Sequence, residues 1–162
     1  MGRLRKRELL PDDTAITAKL IDPKIVTGKY GRQMQATVRV VDGEYRGAKF
    51  KEWFSFRTDS DTNEEFISYG SALYNLLKIA DPDIDDSLDD DELSDREYEK
   101  WLQSTVKSLD GATIMARVAV HTPKNDASKK RNKLDPGSIG PYQDPEAGFA
   151  DLALSGANEE HD

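Results

Sequence analysis

A tryptophan set among cations on a strand face is the feature of this chain most suited to chemistry. In residues 42–57, DGEYRGAKFKEWFSFR, an Asp-Gly turn leads into an alternating run. Alternation places Lys51, Trp53, Ser55 and Arg57 on one face and Phe50, Phe54 and Phe56 on the other. The partner arm, residues 35–41, splits in the same way, with Ala36, Val38 and Val40 opposite Thr37 and Arg39. The apolar set makes a core wall. On the other side an indole stands between ammonium and guanidinium groups. Single-stranded nucleic acid needs such a surface, because bases stack on the ring and phosphates pair with the cations. The same residues also fit a solvated barrel face whose tryptophan covers one end.

Further cations gather on two connections. Residues 25–33, IVTGKYGRQ, combine two glycines with Lys29, Tyr30 and Arg32, so the backbone can approach a ligand closely and offer one more ring. Residues 123–133, PKNDASKKRNK, carry Lys124, Lys129, Lys130, Arg131 and Lys133. Lys19 and Arg117 complete the candidate set, each on the outward side of a predicted strand.

The elements that must position these groups follow from periodicity and punctuation. Residues 1–12 form a basic arm without the apolar run of a secretory signal. A first strand is expected over 14–22, stopped by Pro23. The Asp42-Gly43 hairpin supplies the second and third strands. Thr62 with Glu65 reads as a capping box opening a helix to about Ala80, with Phe66, Leu73, Leu76, Leu77 and Ala80 as its buried stripe. Ser94 with Glu97 opens another, whose stripe of Tyr98, Trp101, Leu102, Thr105, Val106 and Leu109 closes at Gly111 and makes Trp101 a packing residue. Residues 112–121 alternate as a fourth strand, with Ile114, Ala116, Val118 and Val120 inward. A basic loop and a weak last strand within 134–142 follow. Residues 143–162, acidic and with no Lys or Arg, read as a disordered tail.

Charge is segregated along this order. Net charge is −8, yet residues 1–58 hold 13 Lys and Arg against 7 Asp and Glu, and residues 100–133 hold 8 against 2. Residues 59–99 hold 2 against 15, and residues 134–162 hold none against 7. The strand-forming parts are basic; the insert and the tail are acidic. The absence of cysteine excludes disulfides and thiolate metal sites, and points to a cytoplasmic setting. No apolar run reaches the ~18 residues of a membrane span.

A helix between the third and fourth strands of a small barrel is the OB-fold arrangement. The fold expected is therefore mainly β with a helical insert, a five-stranded Greek-key barrel with a helix and an acidic helical insertion at 81–110. VRVVDGEYRGAKFKEWFSF, SLDGATIMARVAV and RNKLDP together resemble phage-encoded proteins related to single-stranded DNA-binding proteins, over about residues 14–142. That resemblance implies an OB barrel binding single strands with little sequence preference, in replication or recombination. It also implies an acidic C-terminal tail that recruits partner proteins. The pattern does not separate DNA from RNA and leaves self-association open.

A rival reading is an acidic interaction module or nucleic-acid mimic. Asp81, Asp83, Asp85, Asp89 and Glu92 fall at positions 1, 3, 5, 9 and 12 of a calcium loop, although Asp86 replaces its turn glycine. No catalytic constellation is found: two histidines, His121 and His161, lie apart, and there is no phosphate-cradling loop or nucleophile elbow. A non-enzymatic protein without a cofactor is expected.

Overall fold

A computed structural model describes residues 9–29, 31–88, 93–125 and 127–143. The protein is mainly β, a curled antiparallel sheet with few helices, compatible with an OB-like fold. The sheet is built from β1 (Thr14–Gly28), β2 (Gly31–Val40), β3 (Lys49–Ser55), β6 (Thr113–His121) and β7 (Arg131–Leu134), in the order β3-β2-β1-β6-β7. A short β8 (Gly140–Pro141) also pairs with β6. Two short strands, β4 (Arg57–Thr58) and β5 (Glu65–Phe66), form a separate ribbon. The helices α1 (Ala72–Ala80), α2 (Ile84–Leu88) and α3 (Asp95–Ser108) lie between β5 and β6 in the chain.

Alternation sorts the sheet as expected. Met34, Ala36, Val38 and Val40 of β2 are buried, as are Phe54 of β3 and Ile114, Ala116 and Val118 of β6. One cluster joins them to Leu73, Leu76 and Leu77 of α1 and to Leu102 and Val106 of α3. The Ser94 hydroxyl caps α3 by accepting from the Glu97 N–H at 3.1 Å. Trp101 packs against the core and donates its indole N–H to Asp81 at 2.8 Å.

Three elements depart from the sequence reading. The first strand does not stop at Pro23 but runs on to Gly28, with a register shift between Ile21 and Lys24. A bulge is where a strand tolerates a residue without an N–H. Asp22 there takes a positive φ of 53° and donates its N–H to the Asp110 carboxylate. The expected glycine-rich link is thus mostly strand, with Gly28 facing Gly31. Second, no helix starts at Thr62. The Asp59 carboxylate gathers the N–H groups of Asp61 and Thr62 into a turn, Glu65 enters β5, and Phe66 is exposed. The helix begins at Ala72, capped by Ser71. Third, Arg131 and Lys133 belong to a strand instead of a loop.

β7 is also where the segment before β1 is tied down. The Asn132 amide accepts from the Leu10 N–H and donates to the Leu10 carbonyl, both at 2.9 Å and both buried. Asn132→Ala leaves two buried backbone groups unpaired and is expected to lower stability by about 1–3 kcal/mol. Urea unfolding checks this: the midpoint falls while the slope with denaturant is unchanged.

Candidate nucleic-acid interface

The outward face of β1, β2 and β3 is set by register. Lys19 of β1 stands opposite Arg39 of β2, which stands opposite Lys49 of β3. This is a row of three cations across three strands. In the next row Thr37 faces Lys51, and beyond it Gln35 faces Trp53 and Gln33 faces Ser55. Like charges side by side on a sheet repel and lower stability. Lys19, Arg39, Lys49 and Lys51 are all exposed, and none makes an ion pair among the described residues. The face therefore holds a positive charge that an anion would relieve.

Trp53 is 40% exposed at the edge of this face. The Arg131 guanidinium lies 5.7 Å from the ring centroid, within cation–π range. β3 and β7 are the two ends of the strand order and share no backbone ladder, yet the curl brings them together here. Glu52 joins them. Its carboxylate accepts from the Leu134 N–H at 2.8 Å, from the Trp53 N–H at 3.0 Å and from Arg131 Nη1 at 3.4 Å.

The remaining candidates divide. Lys133 lies on β7 opposite Ala119, and Lys124, Lys129 and Lys130 are exposed on the β6–β7 connection. Lys29 is exposed at the tip of the β1–β2 hairpin. Tyr30 lies outside the described residues, as does the tail from residue 144. Three expectations need correction. Arg32 is not open to a phosphate: Glu65 and Glu99 grip its guanidinium through four hydrogen bonds of 2.7–2.9 Å, and it lies over Phe56. Its own pKa is raised further, chiefly by the Glu65 hydrogen bonds. Arg57 leaves the face of Trp53, because the main sheet ends at Ser55 and β4 pairs with Phe66 of β5. Arg117 stays exposed but is turned to the Asp13 carbonyl and carboxylate, at 3.1 and 3.4 Å.

No family model, curated protein or solved structure matches the chain. The interface thus rests on its own residues. Two of them were missed in the sequence. Lys49 completes the cation row and is found by carrying the alternation of β3 one step back. Glu52 lies on the phenylalanine side of the same alternation, where an acid is out of place.

Carboxylates of the acidic insertion are held by donors from within it and from α1. Asp81 accepts from Trp101 and from the Ser87 hydroxyl, and these bonds hold its carboxyl below the usual carboxylate range despite opposing burial. Asp85 accepts from the Tyr74 hydroxyl at 2.6 Å. Two of the five expected calcium positions are thus taken by protein donors, and Asp89 and Glu92 lie outside the described residues. Among the described residues no three acidic or histidine side chains group as metal ligands. A cavity of about 300 Å³ beside this lobe, lined by Ile67, Tyr69, Tyr74, Ile84, Asp85 and Leu88, offers no cation.

Proposed function

We propose that the chain binds single-stranded DNA, with little sequence preference, along the outer face of β2 and β3. The observation that carries this reading is a half-exposed indole with a guanidinium over it, beside four cations without acidic partners among the described residues. Stacking is indifferent to base identity, since every base has a π-face, and cations read only the backbone. The exposed cations and the indole are spread along neighbouring strands, suiting an extended strand with splayed bases better than a small molecule. OB folds use the corresponding strands and the loops flanking them. Here those loops are the β1–β2 tip with Lys29 and the β6–β7 connection with Lys124, Lys129 and Lys130. The Greek-key barrel, the acidic helical insertion and a place in phage replication or recombination belong to the same proposal. So do partner proteins docking on the acidic tail. Among the described residues no helix is long and apolar enough to cross a membrane.

Fluorescence anisotropy with labelled oligothymidine tests this. Affinity is expected to fall with salt along a log–log line whose slope is about −0.7 per phosphate neutralised. With Lys19, Arg39, Lys49 and Lys51 engaged, that is a slope near −3. A duplex of the same length should bind more weakly, since its bases cannot reach Trp53. Equal affinity for duplex and single strand, or no binding at low salt, would overturn the reading.

A further inference from the structure

Glu52 is an acid beneath a face built for anions. It stands opposite Ala36 on the inner side of β3 and is only 6% exposed. Burying a carboxylate is costly unless donors surround it. The donors come from both sides of the seam: the N–H of Trp53 on β3, the N–H of Leu134 on β7, and the guanidinium of Arg131. Arg131 is 46% exposed and would otherwise be free to wander.

We propose that Glu52 is a positioning residue of the stacking site. It holds Arg131 against one face of Trp53, so that the indole offers its other face to a single base. The guanidinium has five N–H donors in a fixed fork. With one on Glu52, the others are left for the phosphate next to the stacked base. Ordering this long side chain before the ligand arrives lessens what binding must later immobilise. The inference rests on the single-strand-binding reading for its ligand, but the arrangement of Glu52, Arg131 and Trp53 is testable without one.

Glu52→Gln separates positioning from simple charge. Glutamine keeps an oxygen for the Leu134 N–H but gives up the ion pair, and the face becomes more positive by one unit. Charge alone predicts tighter binding. Positioning predicts oligothymidine binding weaker by roughly fivefold at fixed salt, the scale of an exposed cation–π contact. Arg131→Lys keeps the charge but loses the planar fork. It should weaken binding similarly, and the double variant should be no weaker than Arg131→Lys alone, because both changes break one unit. Without ligand, Glu52→Gln should shift the tryptophan emission of the parent but leave a Trp53→Phe background unchanged, since Trp101 is common to both. Binding equal to or tighter than the parent's overturns the proposal, as does an unmoved emission. Should the parent not bind oligothymidine, the single-strand reading fails and the emission experiment alone decides the role of Glu52. Should Glu52→Gln not fold, Arg131→Lys must show both the emission change and the weaker binding, or the proposal fails.

Discussion

Trp53→Ala is expected to weaken oligothymidine binding by about 1–3 kcal/mol while leaving the protein folded. That corresponds to a loss of roughly five- to 150-fold at fixed salt. The size follows from what the substitution removes, a stacking platform that no neighbour replaces. Gln35, Gln33 and Ser55, which surround Trp53 in the register, have no ring to offer. The folding cost is small because the indole is 40% exposed and its ring meets the half-exposed end of Arg131. Losing that cation–π contact costs about 0.5–1 kcal/mol. Trp53→Phe should recover much of the affinity, because the smaller ring still stacks. Lys51→Ala should behave differently: a modest loss, with the salt slope shallower by about 0.7. An alanine variant that binds as tightly as the parent would remove the central contact from the interface.

The sequence was most legible where one physical rule dominates. Burial of one sheet face forces period-two alternation, so the outward placement of Lys51, Trp53 and Arg39 could be read before any pairing was known. Local hydrogen bonding at a helix start made Ser94 and Glu97 a valid signal. The same rule misled at Thr62, where Asp59 competed for the backbone N–H groups and a distant arginine drew Glu65 into a strand. Pro23 misled for a related reason: it ends a strand in a regular ladder, but not at a bulge. What could not be read were pairings decided by the curl of the sheet. Arg32 meets acids 33 and 67 positions away, and Glu52 meets a backbone N–H 82 positions away. Nothing local distinguishes Arg32, bound by two carboxylates, from Arg39, which has none among the described residues.

Because carboxylates hold Arg32, Arg32→Ala should unfold the protein more easily yet leave oligothymidine titrations of the folded protein the same as the parent's. The guanidinium ties β2 to Glu65 of β5 and Glu99 of α3, and Tyr98 of α3 donates to the same Glu65 carboxylate at 3.1 Å. Its removal leaves two neighbouring carboxylates facing each other without their common donor. For fully buried pairs the loss of one partner costs about 3–5 kcal/mol. Here the side chains of Arg32, Glu65 and Glu99 remain 27%, 22% and 42% exposed, so water softens the loss to about 2–3 kcal/mol. The effect should depend on pH with a definite sign. Arg32 first, then Gln103, holds the Glu99 carboxyl below the usual carboxylate range. A carboxyl whose folded pKa is depressed contributes stability above its unfolded value of about 4.3, and loses it as pH falls through the folded value. The stability gap between parent and Arg32→Ala should therefore be full near neutrality and narrow as acid protonates Glu99. Urea unfolding of both proteins between pH 7 and pH 3 measures it, and a gap that widens in acid would contradict the pairing. Arg32→Lys should recover only part, because one ammonium cannot match the planar fork that spans both carboxylates.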